Sequence, residues 1–313
     1  MDNKQESQDS QKKSKNLHKP PLLLAIYRLI FKYLGAILPG LIGRWAYHLW
    51  FQTHRSATIP KREKNWRRSA SLVEAVRIRC ESIEMNPLPV MTYYWENANK
   101  RAPLIMLVHG WTGRGSQMGA LAQALQKSGF RVLAFDNHAH DNTPGKSSTI
   151  FKQSEVQRAL AEKFSSVNSS IYGIVAHSFG GMVTAYSLSQ GMEAQKVVCI
   201  SPPARFDFLL ERFTRSLRMD NKVREYILTR FKNEYGEDLQ QRVSATTTSQ
   251  QLGHIPALII HDKDDVDVPI SESKLLHQAW PNSVLKKTKG LGHRRILYNP
   301  QVIEEVVSFL KPQ

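Results

Sequence analysis

From about residue 82 onward the chain alternates between two hydrophobic rhythms. Short, β-branched apolar runs fall at 103–109, 130–136, 171–177, 196–201 and 256–261; an alternating run covers 90–96, and a more polar one covers 284–289. Helix-favouring stretches lie between them at 116–127, 154–165, 179–190, 271–280 and 300–310. Continuous apolar runs of this length suit strands buried on both faces, and their alternation with helices predicts an α/β fold. The sheet should be mostly parallel and covered by helices on both faces. The polar run at 284–289 belongs nearer a sheet edge. Residues 203–254 interrupt the rhythm with helix-favouring, charged, aromatic-studded segments at 205–217, 221–235 and 239–243. They are expected to form a small helical cap insertion above the C-terminal ends of the strands.

The first 81 residues follow a different pattern. Residues 1–19 are polar and lysine-rich without apolar periodicity, the composition of a disordered tail. An apolar, aromatic arm follows over 20–81, broken at Gly35 and at Pro39-Gly40. Its first apolar piece, 22–38, carries Arg28 and Lys32 four residues apart, on one helical face. A membrane span needs about 20 apolar residues, and a central Arg or Lys costs about 2.5–3.5 kcal/mol on insertion. A span is therefore disfavoured. Two readings stay open. One is a helix lying in the interface of the cytoplasmic membrane, with residues 20–51 on the lipid. The other is an amphipathic pair packed on the chain's own catalytic domain or on a second copy. The 82–313 remainder is expected to be the catalytic domain.

Charge sharpens that division. The chain of 313 residues has a net charge of +16, but residues 1–80 hold 16 Lys/Arg against 5 Asp/Glu, and the rest hold 27 against 22. The basic character belongs to the arm and suits an anionic surface. Nucleic acid is not expected as a partner, because no recognised motif accompanies the charge. The two cysteines, Cys80 and Cys199, have no metal-ligand spacing and read as reduced thiols, which points to the cytoplasm. No cleavable secretory signal is expected, since Arg28 interrupts the apolar core.

The candidate chemistry centres on Ala176-His177-Ser178-Phe179-Gly180-Gly181, between an apolar run and a helix-favouring stretch. A strand, a serine with small residues two positions before and after it, and then a helix is the layout of a nucleophile elbow. Acyl transfer to serine also needs a base, a carboxylate to orient it, and donors for the oxyanion. His293, in the glycine-flanked loop after the last strand, is the base. In the aspartate-rich 261–269 the spacing D-x-x-V-P selects Asp265 as the acid, leaving Asp264 and Asp267 as loop charges. The backbone N–H groups of Phe179 and of Trp111, in His109-Gly110-Trp111-Thr112-Gly113, are the oxyanion donors, and His109 braces that loop. Arg114, Arg294 and Arg295 add positive charge nearby; Arg294 or Arg295 could pair with an anionic group on a substrate.

Taken together these residues resemble the α/β-hydrolase superfamily. The order Ser178, Asp265, His293 matches its triad order, and His109-Gly110-Trp111 matches its His-Gly-x loop. The stretch 135–143 is similar to its D-x-x-G-H-G-x-S loop, with Ala139 and Asp141 where glycines are usual. Ala176 and Asp262 also replace glycines. The resemblance covers 82–313, and more narrowly is to an uncharacterised bacterial subgroup in which such a domain follows a basic, apolar arm. It implies the α/β-hydrolase fold and hydrolysis of an ester, thioester or amide without cofactor or metal. Ser178 argues against the family's aspartate-nucleophile branches. The expected activity is cleavage of a carboxylic ester or thioester of a small-molecule acyl substrate. The alternative is an inactive member of the fold that serves as a binding or scaffold protein at a membrane.

Overall fold

The computed structural model describes residues 22–56, 58–165 and 170–312, so the expected 1–19 tail lies outside the described residues. In chain order the strands are β1 (Leu72–Ile78), β2 (Leu88–Trp95), β3 (Leu104–Val108), β4 (Arg131–Phe135), β5 (Gly173–His177), β6 (Lys196–Ile200), β7 (Ala257–Asp262) and β8 (Ser283–Thr288). Helices of eight residues or more are α1 (Leu22–Leu29), α2 (Pro39–Phe51), α3 (Lys61–Arg68), α4 (Gly119–Lys127), α5 (Ile150–Phe164), α6 (Phe179–Ser189), α7 (Phe206–Ser216), α8 (Asn221–Tyr235), α9 (Ile270–Ala279) and α10 (Pro300–Leu310).

All eight strands form one sheet in the order β1-β2-β4-β3-β5-β6-β7-β8. β2 runs antiparallel to both β1 and β4, and the pairings from β4 to β8 are parallel. Every residue of β3, β5 and β7 is buried, as expected of parallel strands covered on both sides. On one face Ile105, Leu107, Val175, Val198 and Ile260 pack with Leu121 and Leu125 of α4 and Val302, Val306 and Leu310 of α10. Helices α5, α6 and α9 cover the other face. β8 is the edge strand and alternates between exposed and half-buried positions, as its polar sequence predicted.

The chain divides into two compact units. The larger comprises residues 48–211 and 231–313 and contains the whole sheet. This corrects the expected boundary near residue 82. Leu72–Ile78 pairs along its full length with β2, so the sheet begins inside what the sequence assigned to the arm. The run was overlooked because Glu74 and Arg77 dilute its hydrophobicity, and as an edge strand it exposes most of its side chains. α3 was also missed. Its sequence, KREKNWRR, shows no apolar stripe, yet Glu63 is buried and makes an ion pair described below.

Among the described residues the smaller unit comprises 22–47 together with 212–230. The insertion between β6 and β7 is helical, as expected, but its middle segment groups with the N-terminal helices instead of with the sheet. In this unit the Arg28 guanidinium donates to Ser216 O at 2.9 Å, and Asp220 N–H donates to Phe31 O at 3.3 Å. The rings of Phe31 and Trp45 stack with centroids 4.9 Å apart. The helical path runs through Gly35, where one break was expected, and breaks at Leu38 (φ −124°, ψ 57°), beside the break expected at Pro39-Gly40. Pro39 sets that break, since a residue before proline is pushed out of the helical region and proline then starts the next helix well.

Candidate active site

Ser178 occupies the turn between β5 and α6 with φ 52° and ψ −127°. A non-glycine residue held there stores about 1–3 kcal/mol of strain. The turn is pinned by Ser178 N–H donating to Ile200 O at 2.8 Å. Its hydroxyl is thereby presented at the C-terminal edge of the central strands, where open α/β sheets gather their sites.

His293 begins near the other end of the same sheet edge, in the helical turn Gly292–Arg295 after β8. Its Nε2 accepts the Ser178 hydroxyl at 2.9 Å, and its Nδ1–H donates to Asp265 Oδ2 at 2.7 Å. Asp265 is buried in the loop after β7, where its Oδ1 accepts the N–H groups of Asp267 and Val268, each at 2.9 Å. Burial alone would raise the Asp265 pKa. Hydrogen bonds from His261, His293 and the Val268 N–H, with the nearby imidazole, outweigh it and hold the carboxyl well below the usual range. The imidazole is thus oriented by a carboxylate and bonded to a serine hydroxyl, the arrangement that relays a proton in acyl transfer.

Three neighbours hold this geometry. His177 Nε2–H donates to His293 O at 2.9 Å, and the two rings lie 4.8 Å apart. Burial, then the proximity of His293, pushes the His177 pKa down to about 3, so it is a neutral brace at pH 7. His261 Nε2–H donates to Val268 O at 2.9 Å and lies 3.5 Å from Asp265 Oδ2, while its Nδ1 accepts the Ser273 hydroxyl at 2.6 Å. The third neighbour is Asp262. Its Oδ1 accepts N–H groups of Asp264 and Gly292, and its Oδ2 accepts Thr288 Oγ1–H and Leu291 N–H, all at 2.7–3.0 Å. None of these supporting roles was read from the sequence. Their signal was present as a histidine beside the serine and as an aspartate where the superfamily resemblance leads one to expect glycine.

On the opposite side of Ser178 lies the loop after β3. A Cβ at Gly110 would sit 2.9 Å from Ser178 Cβ and 3.3 Å from His177 O, so only glycine permits this approach. His109 braces the loop as expected. Its Nδ1–H donates to Gly110 O at 2.7 Å and its Nε2 accepts Asn137 N–H at 2.9 Å. Burial pushes its pKa down to about 4, which keeps Nε2 available as an acceptor. The rings of the two candidate oxyanion residues, Trp111 and Phe179, meet edge to face at 5.4 Å.

The arginines separate. Arg114 is buried and donates to Glu63 Oε2 at 2.7 Å, with Asp141 Oδ1 at 3.9 Å, so its charge is spent inside the protein. Arg295 is exposed and donates to Gly290 O at 2.7 Å across its own loop, and Arg294 is exposed on the same turn. Among the described residues Asp265, Asp267 and His293 offer ligand atoms within 4.8 Å of one another and could hold a cation. The facing atoms of Asp265 and His293 are already hydrogen-bonded to each other, so a cation would have to displace that bond.

Comparison with known proteins agrees with this architecture. The profile of the family described as alpha/beta hydrolase fold matches residues 103–221. A proline iminopeptidase of Xylella fastidiosa strain Temecula1 is 39% identical over 59 residues, a stretch covering 19% of this chain and 18% of that protein's length. An esterase of Pyrococcus furiosus superposes with a TM-score of 0.61 at 20% identity, covering 83% of this chain and 96% of that one. Est1E of Butyrivibrio proteoclasticus, solved with ferulic acid, superposes with a TM-score of 0.53 at 20% identity, covering 76% and 96%. With its eight-stranded sheet, its strained serine turn and these likenesses, the chain has the α/β-hydrolase fold.

Proposed function

We propose that this chain is a serine hydrolase that cleaves a carboxylic ester or thioester through an acyl-enzyme on Ser178. One observation carries the reading: His293 bridges Ser178 Oγ, at 2.9 Å, and the buried Asp265 carboxylate, at 2.7 Å. In this mechanism His293 Nε2 takes the Ser178 proton as Oγ attacks the acyl carbonyl. The N–H groups of Trp111 and Phe179 receive the oxyanion, each donor being worth about 2.7–4 kcal/mol in the transition state. The imidazolium, steadied by Asp265, protonates the leaving oxygen or sulfur. A water then gives its proton to His293, attacks the acyl group and releases the acid, and the proton returns to Ser178. Arg294, exposed beside His293, would meet an anionic group on a substrate. Its replacement by alanine should then raise KM for anionic esters and not for neutral ones.

A second reading has its own support. The short likeness to proline iminopeptidases favours an amide as the scissile bond, since the same relay serves both. Purified protein is to be treated with a fluorophosphonate probe and assayed on acyl-length series of p-nitrophenyl esters and thioesters beside a prolyl anilide. Labelling of wild type and not of Ser178→Ala, with turnover of esters or thioesters above that of the anilide, is the expected result. Preference for the anilide would replace the first reading by the second. Absence of both labelling and turnover would leave the scaffold alternative.

A further inference from the structure

Nine of the fourteen large apolar side chains that are exposed among the described residues lie between Leu22 and Leu41. Leu22, Ile26, Leu29 and Tyr33 recur at helical spacing along one side of α1 and the wide π turn Ile30–Leu34 that continues it. Leu34, Ile37, Leu38 and Leu41 extend the stripe into α2. The exposures of Leu22 (79%), Ile37 (72%) and Leu41 (66%) are those of side chains fully offered to solvent. A contiguous apolar face of this kind marks a surface that meets a partner or a lipid.

The other side of these helices is already satisfied. A Cβ at Gly35 would lie 2.7 Å from Val223 Cγ2, and one at Gly43 would lie 2.5 Å from Tyr226 Cδ1. The two glycines therefore let α8 approach α2 and the turn before it, and Lys222 Nζ donates to Ala36 O at 3.3 Å. The unit formed by residues 22–47 and 212–230 thus has one face used for its own packing and one apolar face left outward.

Charge identifies what meets that outward face. Residues 22–47 and 212–230 contain nine Lys/Arg and two Asp/Glu. Exposed Lys32 and Arg44 sit on the same helices as the leucines. A protein partner matched to this face would have to bring many carboxylates into an apolar contact, which is costly to desolvate. An anionic bilayer offers the two chemistries in separate layers, phosphates above and acyl chains below. The geometry also fits lying on the bilayer and not crossing it. No described helix is long and apolar enough to cross a membrane. The continuous helical path from Leu22 to Ile37 extends about 24 Å against a hydrocarbon core of about 30 Å. The break at Leu38-Pro39 then turns the chain before α2 begins.

We propose that residues 22–47 and the insertion segment 212–230 form one composite unit that docks the protein on anionic membrane surfaces, with the Leu22–Leu41 face in the lipid. The test uses the full chain in co-sedimentation with extruded vesicles of phosphatidylcholine alone and of phosphatidylcholine with phosphatidylglycerol. Wild type and Ser178→Ala should partition equally onto the anionic vesicles, at least tenfold more strongly than onto the neutral ones. Added salt should weaken that partitioning. The triple substitution Leu29→Ser, Ile37→Ser, Leu41→Ser changes only exposed side chains and should lower partitioning at least tenfold with an unchanged Tm. The pair Lys32→Glu, Arg44→Glu should lower it on anionic vesicles alone. Equal partitioning of the triple variant and wild type would overturn the proposal. So would light scattering that finds wild type oligomeric and the triple variant monomeric while neither binds vesicles, since a second copy of the chain would then cover the face.

Discussion

Asp262 supplies the sharpest test of how the proposed site is held together. It touches neither Ser178 nor the imidazole of His293, but four donors converge on its carboxylate, three of them from residues 288–292 that lead into His293. Burial would raise its pKa; the bonds from Gly292, Thr288, Leu291 and Asp264 outweigh that and hold it below the ordinary value. Asp262→Asn keeps the shape but turns one acceptor oxygen into an NH2 group. With the NH2 in the Oδ2 position, Thr288 can rotate its hydroxyl to accept, whereas the Leu291 N–H must face another donor; in the Oδ1 position it would face both the Asp264 and the Gly292 N–H groups. A hydrogen bond to a charged group is worth about 1.5–3 kcal/mol, and this half-buried loop can recover part of that from water. The expected loss of stability is about 1–2 kcal/mol for the amide and about 2–3 kcal/mol for Asp262→Ala, read as a shift in the urea midpoint. The activity loss should be larger than stability alone explains, because a displacement near 1 Å in a catalytic group costs about 10²-fold. With a p-nitrophenyl ester, Asp262→Asn should lower kcat by about 10- to 100-fold and leave KM within about twofold, under conditions where circular dichroism shows it folded. A folded Asp262→Ala protein with wild-type kcat would refute the claim that this carboxylate positions His293.

The same geometry carries further expectations. Ser178→Gly should abolish turnover yet raise stability by about 1 kcal/mol in thermal or urea unfolding, because glycine relieves the φ 52° strain. Gly110→Ala should cut kcat at least about tenfold, since the added methyl meets Ser178 Cβ and the His177 carbonyl, and overpacking of this kind costs about 1–3 kcal/mol. A circular-dichroism spectrum like that of wild type would confine the loss to the site. Asp262 and Asp265 both have folded pKa values below their unfolded ones. Their stabilising contribution is complete above an unfolded carboxyl pKa of about 3.9 and is lost as pH falls below it toward the folded values. Burial pushes Asp136 the other way, so the informative measurement is the difference between wild type and Asp262→Asn. That gap in urea midpoint should narrow between pH 7 and pH 3.

Much of the fold was legible because parallel strands buried on both faces leave continuous apolar runs. β3, β4, β5 and β6 fall within the runs read from the sequence, and α10 matches its predicted span. β1 was not legible, for a physical reason. An edge strand with five of seven residues exposed has no hydrophobic signal, and its membership depends on pairing with a partner distant in pattern. The grouping of 212–230 with the N-terminal helices was equally hidden. It depends on two glycines, Gly35 and Gly43, whose role is to be absent as side chains. In the candidate site, chain order and turn chemistry were enough to bring Ser178, Asp265 and His293 within hydrogen-bonding distance of each other. The residues that hold them left only a faint signal, because most of their bonds run to backbone atoms. His177 reaches a carbonyl 116 positions away, and no side-chain pattern encodes that.

The departures from the usual glycines point to where this fold stores energy. Among the described residues six non-glycine residues have positive φ, and five of them follow the C-terminal ends of four adjacent strands: Thr112 after β3, Ala139 and Asp141 after β4, Ser178 after β5, and Ser201 after β6. Ala139 (φ 64°) and Asp141 (φ 37°) keep the left-handed backbone that glycine would adopt easily. The shape has therefore been retained where the residue that makes it inexpensive has not. What offsets the strain is visible around each turn. Ala139 N–H donates to Pro144 O at 3.0 Å, and Asp141 lies 3.9 Å from the buried Arg114. Strain spread over four successive strand ends, on the edge that carries Ser178, is what a preorganised site requires: the backbone is fixed before a substrate arrives, and the cost is met by the buried sheet beneath. Ala139→Gly tests this directly. If strain there is real, the substitution should raise the unfolding midpoint even though glycine loosens the unfolded chain, because a left-handed alanine costs about 1–2 kcal/mol and the entropy penalty of glycine is about 0.5–1 kcal/mol. A lower midpoint would mean that the methyl of Ala139, fully buried, contributes more by packing than its backbone loses.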